Sequence, residues 1–207
     1  MPVCYIAGAS PEAARVYPQP GDFLIAADGG LDYFTRWGLR ADLLVGDMDS
    51  LQTTPQGIPC KRYPRQKDDT DLSLALNEAI ARGFKHIIVT GAWGGRPDHA
   101  AANLQLLVKA ARQGIDARML CGEYIAAALA AGGTMRLTGS GTVSVFAWGG
   151  PARGVTLRGL EYPLENAILQ DDIPLGISNS LEGEGEISLE SGTLLIFFQE
   201  DITCAIA

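Results

Sequence analysis

No pair of cysteines in this chain has the spacing of a metal ribbon or a redox motif. Cys4, Cys60, Cys121 and Cys204 are scattered, so zinc-ribbon and thioredoxin chemistry lack their C-x-x-C units. Free thiols in a reducing cytoplasm are the expectation. Histidines number 2, His86 and His99, which leaves little from which to build a catalytic triad. There is no G-x-x-x-x-G-K-[ST] loop, and the Gly94-Gly95 loop is not G-x-G-x-x-G, so the Walker and dinucleotide fingerprints are both missing. The EF-hand pattern fails after Asp47 and Asp49, because Leu51 and Gln52 stand where a ligand and a glycine belong. No apolar run reaches membrane-spanning length. The start, MPVCYIAGAS, carries no basic leader ahead of a long apolar core, so no secretory signal is expected. Positive charge is also short: 16 Lys and Arg face 24 Asp and Glu, for a net charge of −8. That balance opposes a general binder of nucleic acid or anionic membrane. It leaves room for an anion at a local site that carries a metal. With 47% apolar and 19% charged residues, the 207-residue chain argues for a packed core over disorder. That length suits one large domain or two small ones.

What is present is a set of acidic residues at strand ends. In ADLLVGDMDSL (Ala41 to Leu51) the apolar run Leu43-Leu44-Val45 reads as a buried strand. It stops at Gly46 and releases Asp47 and Asp49, with Ser50 beside them. Two close carboxylates repel unless a cation or proton lies between them. Magnesium commonly takes one or two carboxylates plus substrate phosphates. A plain surface turn is the competing reading, since Asp and Ser favour turns. Three further segments shift the balance. AADGG puts Asp28 at the end of Phe23 to Ala27. KDDTDLSLAL sets Lys67, Asp68, Asp69, Thr70 and Asp71 ahead of a helical pattern. GAWGGRPDHAAANLQLL follows Ile87 to Thr90 and runs through glycines to Arg96, Asp98 and His99. Glycine admits close backbone approach, and helix starts present free N–H groups to anions. Asp98 has two readings, an N-cap or a residue lining the site, and one can serve both. Lys67 is either an exposed loop lysine or a phosphate contact.

The first part of the chain alternates strand-like and helix-like stretches. Strands are predicted at Val3 to Ala7, Phe23 to Ala27, Leu43 to Val45, Ile87 to Thr90 and Ala117 to Leu120. Leu72, Ala75, Leu76, Ala79 and Ile80 share one helical face, as do Leu104, Leu107, Val108 and Ala111, while Leu31, Phe34 and Trp37 make a shorter one. This grammar predicts an α/β fold, with a doubly wound, mostly parallel sheet and helices on both faces. It changes after Gly122. EYIAAALAAGG reads as a short helix and connector. Short β-like runs follow, at Thr134 to Leu137, Thr142 to Ala147, Val155 to Leu157, Glu186 to Leu189 and Thr193 to Phe198. The expectation is an α/β domain over 1–130 and an all-β sandwich over 131–207. The continuous run Leu194 to Phe198 should be covered on both faces.

Taken together, DGG (Asp28 to Gly30), GDMDS (Gly46 to Ser50), KDDTD (Lys67 to Asp71), GGRPDH (Gly94 to His99), GLEYPL (Gly159 to Leu164) and GISNS (Gly176 to Ser180) resemble the thiamine pyrophosphokinase family. Their order and spacing carry the resemblance. The chain departs from the family at Ser73, where an acidic residue is more usual, and at Ser180, where many relatives carry glutamate. The resemblance implies transfer of a diphosphate from ATP to thiamine in a cytoplasmic homodimer, with no nucleic-acid or membrane partner. Magnesium would be held by Asp47, Asp49 and Asp71, with Lys67 completing the catalytic set. Asp28, Gly29, Arg96, Asp98 and His99 would bind the nucleotide, Arg65 is a further phosphate contact, and Asp71 would take the alcohol proton. Ser178 and Asn179 would bind the acceptor; a turn between strands is the competing reading for both. A pterin-alcohol pyrophosphokinase or a non-catalytic nucleotide or metal sensor of the same fold are the alternatives.

Overall fold

The computed structural model describes residues 1–47, 57–64 and 69–207, and the chain divides into two compact units. The first comprises Met1–Leu106 and Ala117–Gly122; the second comprises Leu107–Asp116 and Glu123–Ala207.

The first unit holds strands β1 (Cys4–Ala7), β2 (Phe23–Ala27), β3 (Leu43–Gly46), β4 (Cys60–Arg62), β5 (His86–Thr90) and β6 (Asp116–Cys121). Between them run helices α1 (Leu31–Arg36), α2 (Asp71–Ala81) and α3 (Pro97–Ala111), the last of which ends in the second unit. The strand order is β6-β5-β1-β2-β3-β4. The pairs β5–β1, β1–β2, β2–β3 and β3–β4 are all parallel. Such strands are buried on both faces, which explains why β3 reads as Leu-Leu-Val-Gly with every residue buried. One apolar cluster joins Ala7, Leu24, Ala26 and Leu44 of the strands to Leu31 and Phe34 of α1. Helix α2 packs against β1, β2 and β3. Its start is fixed by Thr70, whose side chain accepts from the Ser73 backbone N–H, satisfying one of the free donors of the first turn. Pro97 opens α3 at the position where its missing N–H costs nothing.

The second unit contains β7 (Tyr124–Ala130), β8 (Thr134–Ala147), β9 (Ala152–Leu160), β10 (Leu164–Leu169), β11 (Gly176–Ser188), β12 (Thr193–Gln199) and β13 (Thr203–Ile206). Their order is β10-β9-β11-β8-β12-β7, with β13 also on β8. The pairings that join them are antiparallel. Strand β8 runs unbroken through what the sequence suggests are two strands. One of its edges is occupied by β11 from Thr134 to Val145; the other is shared, with β13 on Met135–Thr138 and β12 on Val143–Ala147. Gly139 and Gly141 separate the two halves, and a Cβ on Gly139 would stand 2.6 Å from the Asp201 carbonyl oxygen. Glycine at such a bend lets neighbouring backbones close in. A single core of Leu, Ile, Val, Met and Phe side chains spans β7 to β12.

Residues 124–130, expected as a helix, are strand β7. Alanine is the best helix former, but tertiary pairing overrides it here. The register sets Ala126, Ala127 and Ala128 beside Phe197, Ile196 and Leu195 of β12. Small side chains on one strand make room for large ones on the next. Leu194, Leu195, Ile196 and Phe198 are all buried within the single chain, so both faces of β12 are covered without a partner. None of the four cysteines, all of them among the described residues, is in a disulfide. Burial pushes the Cys4 thiol up to about 12.

Candidate active site

The order of the first sheet reverses at β1, with β2 to β4 on one side and β5 and β6 on the other. Open α/β sheets take ligands in the crevice outside the carboxyl ends of the strands at such a point. The loops leaving β1 and β5 touch there. The Gly8 N–H donates to the Thr90 carbonyl (2.8 Å) and the Ser10 N–H to that of Gly91 (2.8 Å). A Cβ on Gly8 would lie 2.5 Å from the Gly91 oxygen, and Gly91 itself has φ +59, so neither position accepts a side chain without backbone movement. The Tyr33 hydroxyl donates to the Ser10 carbonyl (2.7 Å) and the Thr90 hydroxyl to that of Ala14 (2.8 Å). Held open in this way is a cavity of about 440 Å³, lined by Ser10, Asp28, Thr70, Asp71, Arg96, His99 and Asn103 among others.

Asp28 is the most unusual residue in it. Its φ is +46, in the left-handed region that costs most residues free energy. Its Oδ1 is buried and has no hydrogen-bond partner among the described residues. Buried acceptors are almost always paired, so this carboxylate oxygen in the cavity wall is a candidate ligand. A Cβ on Gly46 would sit 3.2 Å from the Asp28 Cβ and 3.3 Å from Asp71 Oδ1. The end of β3 therefore packs between the two carboxyl-bearing residues, and Asp47 follows it directly. Among the described residues, no three His, Cys, Asp or Glu side chains gather closely enough to hold a metal alone. An oxygen-only donor pair completed by phosphate is how magnesium usually binds, and this donor set fits it. Asp49, Lys67 and Arg65 lie outside the described residues.

The remaining expected residues separate. Arg96 and His99 line the cavity, while Asp98 and Gly29 are not part of its wall. Because α3 begins at Pro97, Asp98 is inside the first turn and is not the N-cap. The Ser73 hydroxyl donates to Asp69 Oδ1 (2.8 Å), so the departure at Ser73 ties down one member of KDDTD. Asn103 was not singled out from the sequence. It is 6% exposed and its Nδ2 donates to the Ala92 carbonyl at 2.7 Å. Its signal was its position four residues after His99, on the same helical face.

In the second unit, Ser178 is exposed with φ +55, beside a register shift between Gly176 and Asn179. Asn179 is 4% exposed. Its Oδ1 accepts from the backbone N–H groups of Tyr162 (2.9 Å) and Ser180 (2.9 Å), and its Nδ2 donates to the Tyr162 carbonyl (2.8 Å). This side chain serves Tyr162 as a neighbouring strand would, and one of its N–H groups is left over.

A switch-point cavity with acidic residues and an arginine has the chemistry to take phosphate groups together with a cation. Two family models place it further: "Thiamin pyrophosphokinase, catalytic domain" matches residues 16–119, and "Thiamin pyrophosphokinase, vitamin B1 binding domain" matches residues 135–194. The thiamine pyrophosphokinase of Bacillus subtilis (strain 168) is 30% identical over 150 residues, which is 67% of this chain and 66% of that protein. The aligned part thus spans just under two thirds of that relative. The crystal structure of thiamine pyrophosphokinase from Bacillus subtilis superposes with a TM-score of 0.86 at 25% identity, covering 97% of this chain and 100% of that one. The Geobacillus thermodenitrificans structure gives 0.86 at 26%, covering 96% and 98%. The yeast structure, at 12% identity and a TM-score of 0.73, covers 96% of this chain and 86% of that one, and shares the fold. The chain belongs to the thiamin pyrophosphokinase family.

Proposed function

We propose that this chain transfers a diphosphate group from ATP to the hydroxyl of thiamine, giving thiamine diphosphate and AMP. The observation that carries the reading is the orphaned buried oxygen of Asp28 beside Asp71, inside a switch-point cavity of a chain from this family. The first unit, with its α/β sheet read as doubly wound, takes ATP; the second, read as a sandwich, takes the acceptor.

Magnesium, bound by Asp47, Asp49 and Asp71, would neutralise charge on the phosphate chain. Asp28 and Gly29 bind the nucleotide, Asp28 through the oxygen left without a partner near Asp71. Arg96 and Lys67 meet phosphate oxygens, and Asp98 and His99 take part in binding the nucleotide. Transfer of this kind asks the protein mainly to position groups and balance charge. The acceptor hydroxyl must face the β-phosphorus with AMP leaving in line, and Asp71 takes the hydroxyl proton. The exposed Ser178 contacts the acceptor, while Asn179 fixes Tyr162 beside it. Tyr162, Ile168, Ile173, Leu175 and Ile177 are large apolar residues left exposed on this part of the second unit. Exposed apolar side chains of this size suit an interaction surface, and its occupant in this reading is a second copy of the chain. Among the described residues no helix is long and apolar enough to cross a membrane; the reading places the enzyme in the cytoplasm, with no nucleic-acid or membrane partner.

Both matched models are thiamin pyrophosphokinase models, which favours thiamine over a pterin alcohol and an enzyme over a silent sensor. The test is to incubate purified protein with ATP and magnesium, adding thiamine in one tube and a hydroxymethylpterin in another. AMP and thiamine diphosphate should form together in the first tube only. AMP release driven by the pterin alone, or by neither, overturns the assignment.

A further inference from the structure

The segment after β5 is held from α3 at both ends. At its start, Asn103 donates to the Ala92 carbonyl. At its end, Asp98 grips Arg96: Nε donates to Oδ1 at 3.1 Å and Nη2 to Oδ2 at 2.6 Å. The same Oδ1 accepts from the His99 backbone N–H at 3.0 Å. Arg96 belongs to the cavity wall and Asp98 does not.

We propose that Asp98 is a positioning residue that acts on the nucleotide only through Arg96, holding the guanidinium so that its remaining N–H groups face the phosphates. This rests on the reading that the cavity takes ATP. A guanidinium carries five N–H donors in a fixed plane. The two spent on Asp98 set the direction of that plane and leave the outer edge to a second anion. An unheld arginine has many rotamers, and ordering it on binding weakens affinity. The side chains of Arg96 and Asp98 are 71% and 62% exposed. Exposed pairs add little to stability, so folding alone does not account for a two-point grip at a cavity edge. Arg96 holds the Asp98 carboxyl down at about 2, with the His99 N–H helping, and the pair stays ionised at any pH the enzyme meets.

The experiment is a double-mutant cycle on the whole protein. Wild type, Asp98→Ala, Arg96→Ala and the double variant are titrated with ATP and with adenosine in the presence of magnesium, by calorimetry. Arg96→Ala should weaken ATP by about tenfold or more, the loss of one charge-assisted contact. Asp98→Ala should weaken it by a smaller factor, about threefold to tenfold. The double variant should match Arg96→Ala, and adenosine should bind all four alike. Asp98→Asn, which keeps one acceptor, should recover part of the loss. If Asp98→Ala costs as much without Arg96 as with it, Asp98 touches the nucleotide or supports the fold, and the proposal is wrong. A matching loss of adenosine in Asp98→Ala also overturns it, because the loop as a whole has then moved. If Arg96→Ala leaves ATP binding intact, the cavity reading itself falls and takes this role with it. A drop with Arg96→Ala but none with Asp98→Ala removes the positioning role alone.

Discussion

The two units use backbone exceptions for opposite purposes. In the first, three of them stand at the carboxyl ends of strands: Asp28 at φ +46 after β2, Gly91 at φ +59 after β5, and Gly46 at φ +153 closing β3. Each lies where the chain turns out of the sheet, and each borders the cavity or its carboxylates. In the second, Gly139 and Gly141 fall in the middle of β8, and Gly159 lies in β9 against the Glu184 carbonyl. These bend strands so that one core can be enclosed. Strain at these three positions of the first unit borders the candidate site; at these glycines of the second it shapes the sheet, with Ser178 at φ +55 the exception. The units should therefore respond differently to substitution: the second through stability, the first through chemistry.

The largest effect on stability belongs to Phe198→Ala. Phe198 is fully buried in the β core, in the run that also carries Leu194 and Ile196. Removing a buried ring and leaving a cavity costs about 3–5 kcal/mol. Urea unfolding should show the midpoint fall by a corresponding amount. A loss under ~1 kcal/mol would show that the site collapses without a void and would blur the contrast between the units.

Asn179→Ala comes next. It strands the N–H and carbonyl of Tyr162, which the Asn179 side chain satisfies in full. Because Tyr162 is exposed and water can replace part of what is lost, the cost is that of ordinary hydrogen bonds, about 1 kcal/mol. Asn179→Asp restores the acceptor but not the donor, so it should lie between the two. The same variants sharpen the acceptor assignment. If Asn179 chiefly holds Tyr162, stability and thiamine KM should worsen together. A large rise in KM at unchanged stability would instead make Asn179 a direct contact.

How much of this was legible differs between the units for the same reason. Strands β1, β2, β3 and β5 follow from apolar runs that stop at glycine or aspartate, because a parallel strand buried on both faces has few other ways to read. Helix α2 follows from its spacing, whereas its Thr70 cap is seen only in the structure. The second unit hides its elements. Antiparallel strands need only alternate, and β8 and β11 pass through glycines that read as breaks. The alanines of β7 say helix until the bulk of β12 beside them is known. In the site, the glycine-flanked aspartates were visible, but two roles were not. Nothing local marks Asp28 as an orphaned acceptor, since that depends on Gly46 and Asp71 arriving from elsewhere. Asn179 looked like a polar reader, and only the register with Tyr162 shows its side chain committed to the backbone.

Asp28→Asn carries the smallest change in stability, and its sign is the informative part. Asparagine tolerates φ +46 better than most residues and has the same shape as aspartate. It removes the carboxylate from a buried position where one oxygen has no partner. Burying an unsatisfied charged oxygen is unfavourable, so the substitution should leave the fold unharmed or raise its stability by about 1 kcal/mol. Turnover should move the other way. A preorganised charge aimed at the reacting groups is worth about a hundredfold or more in rate, and that is the loss expected in AMP formation at saturating ATP and thiamine. The two readouts together separate the explanations. A site residue that the fold tolerates at a cost gives higher stability with lost activity. A plain structural turn gives lost stability with activity preserved in the folded fraction. The second pattern, read from thermal unfolding and initial rates on the same preparation, would remove Asp28 from the site and end the contrast drawn between the two units.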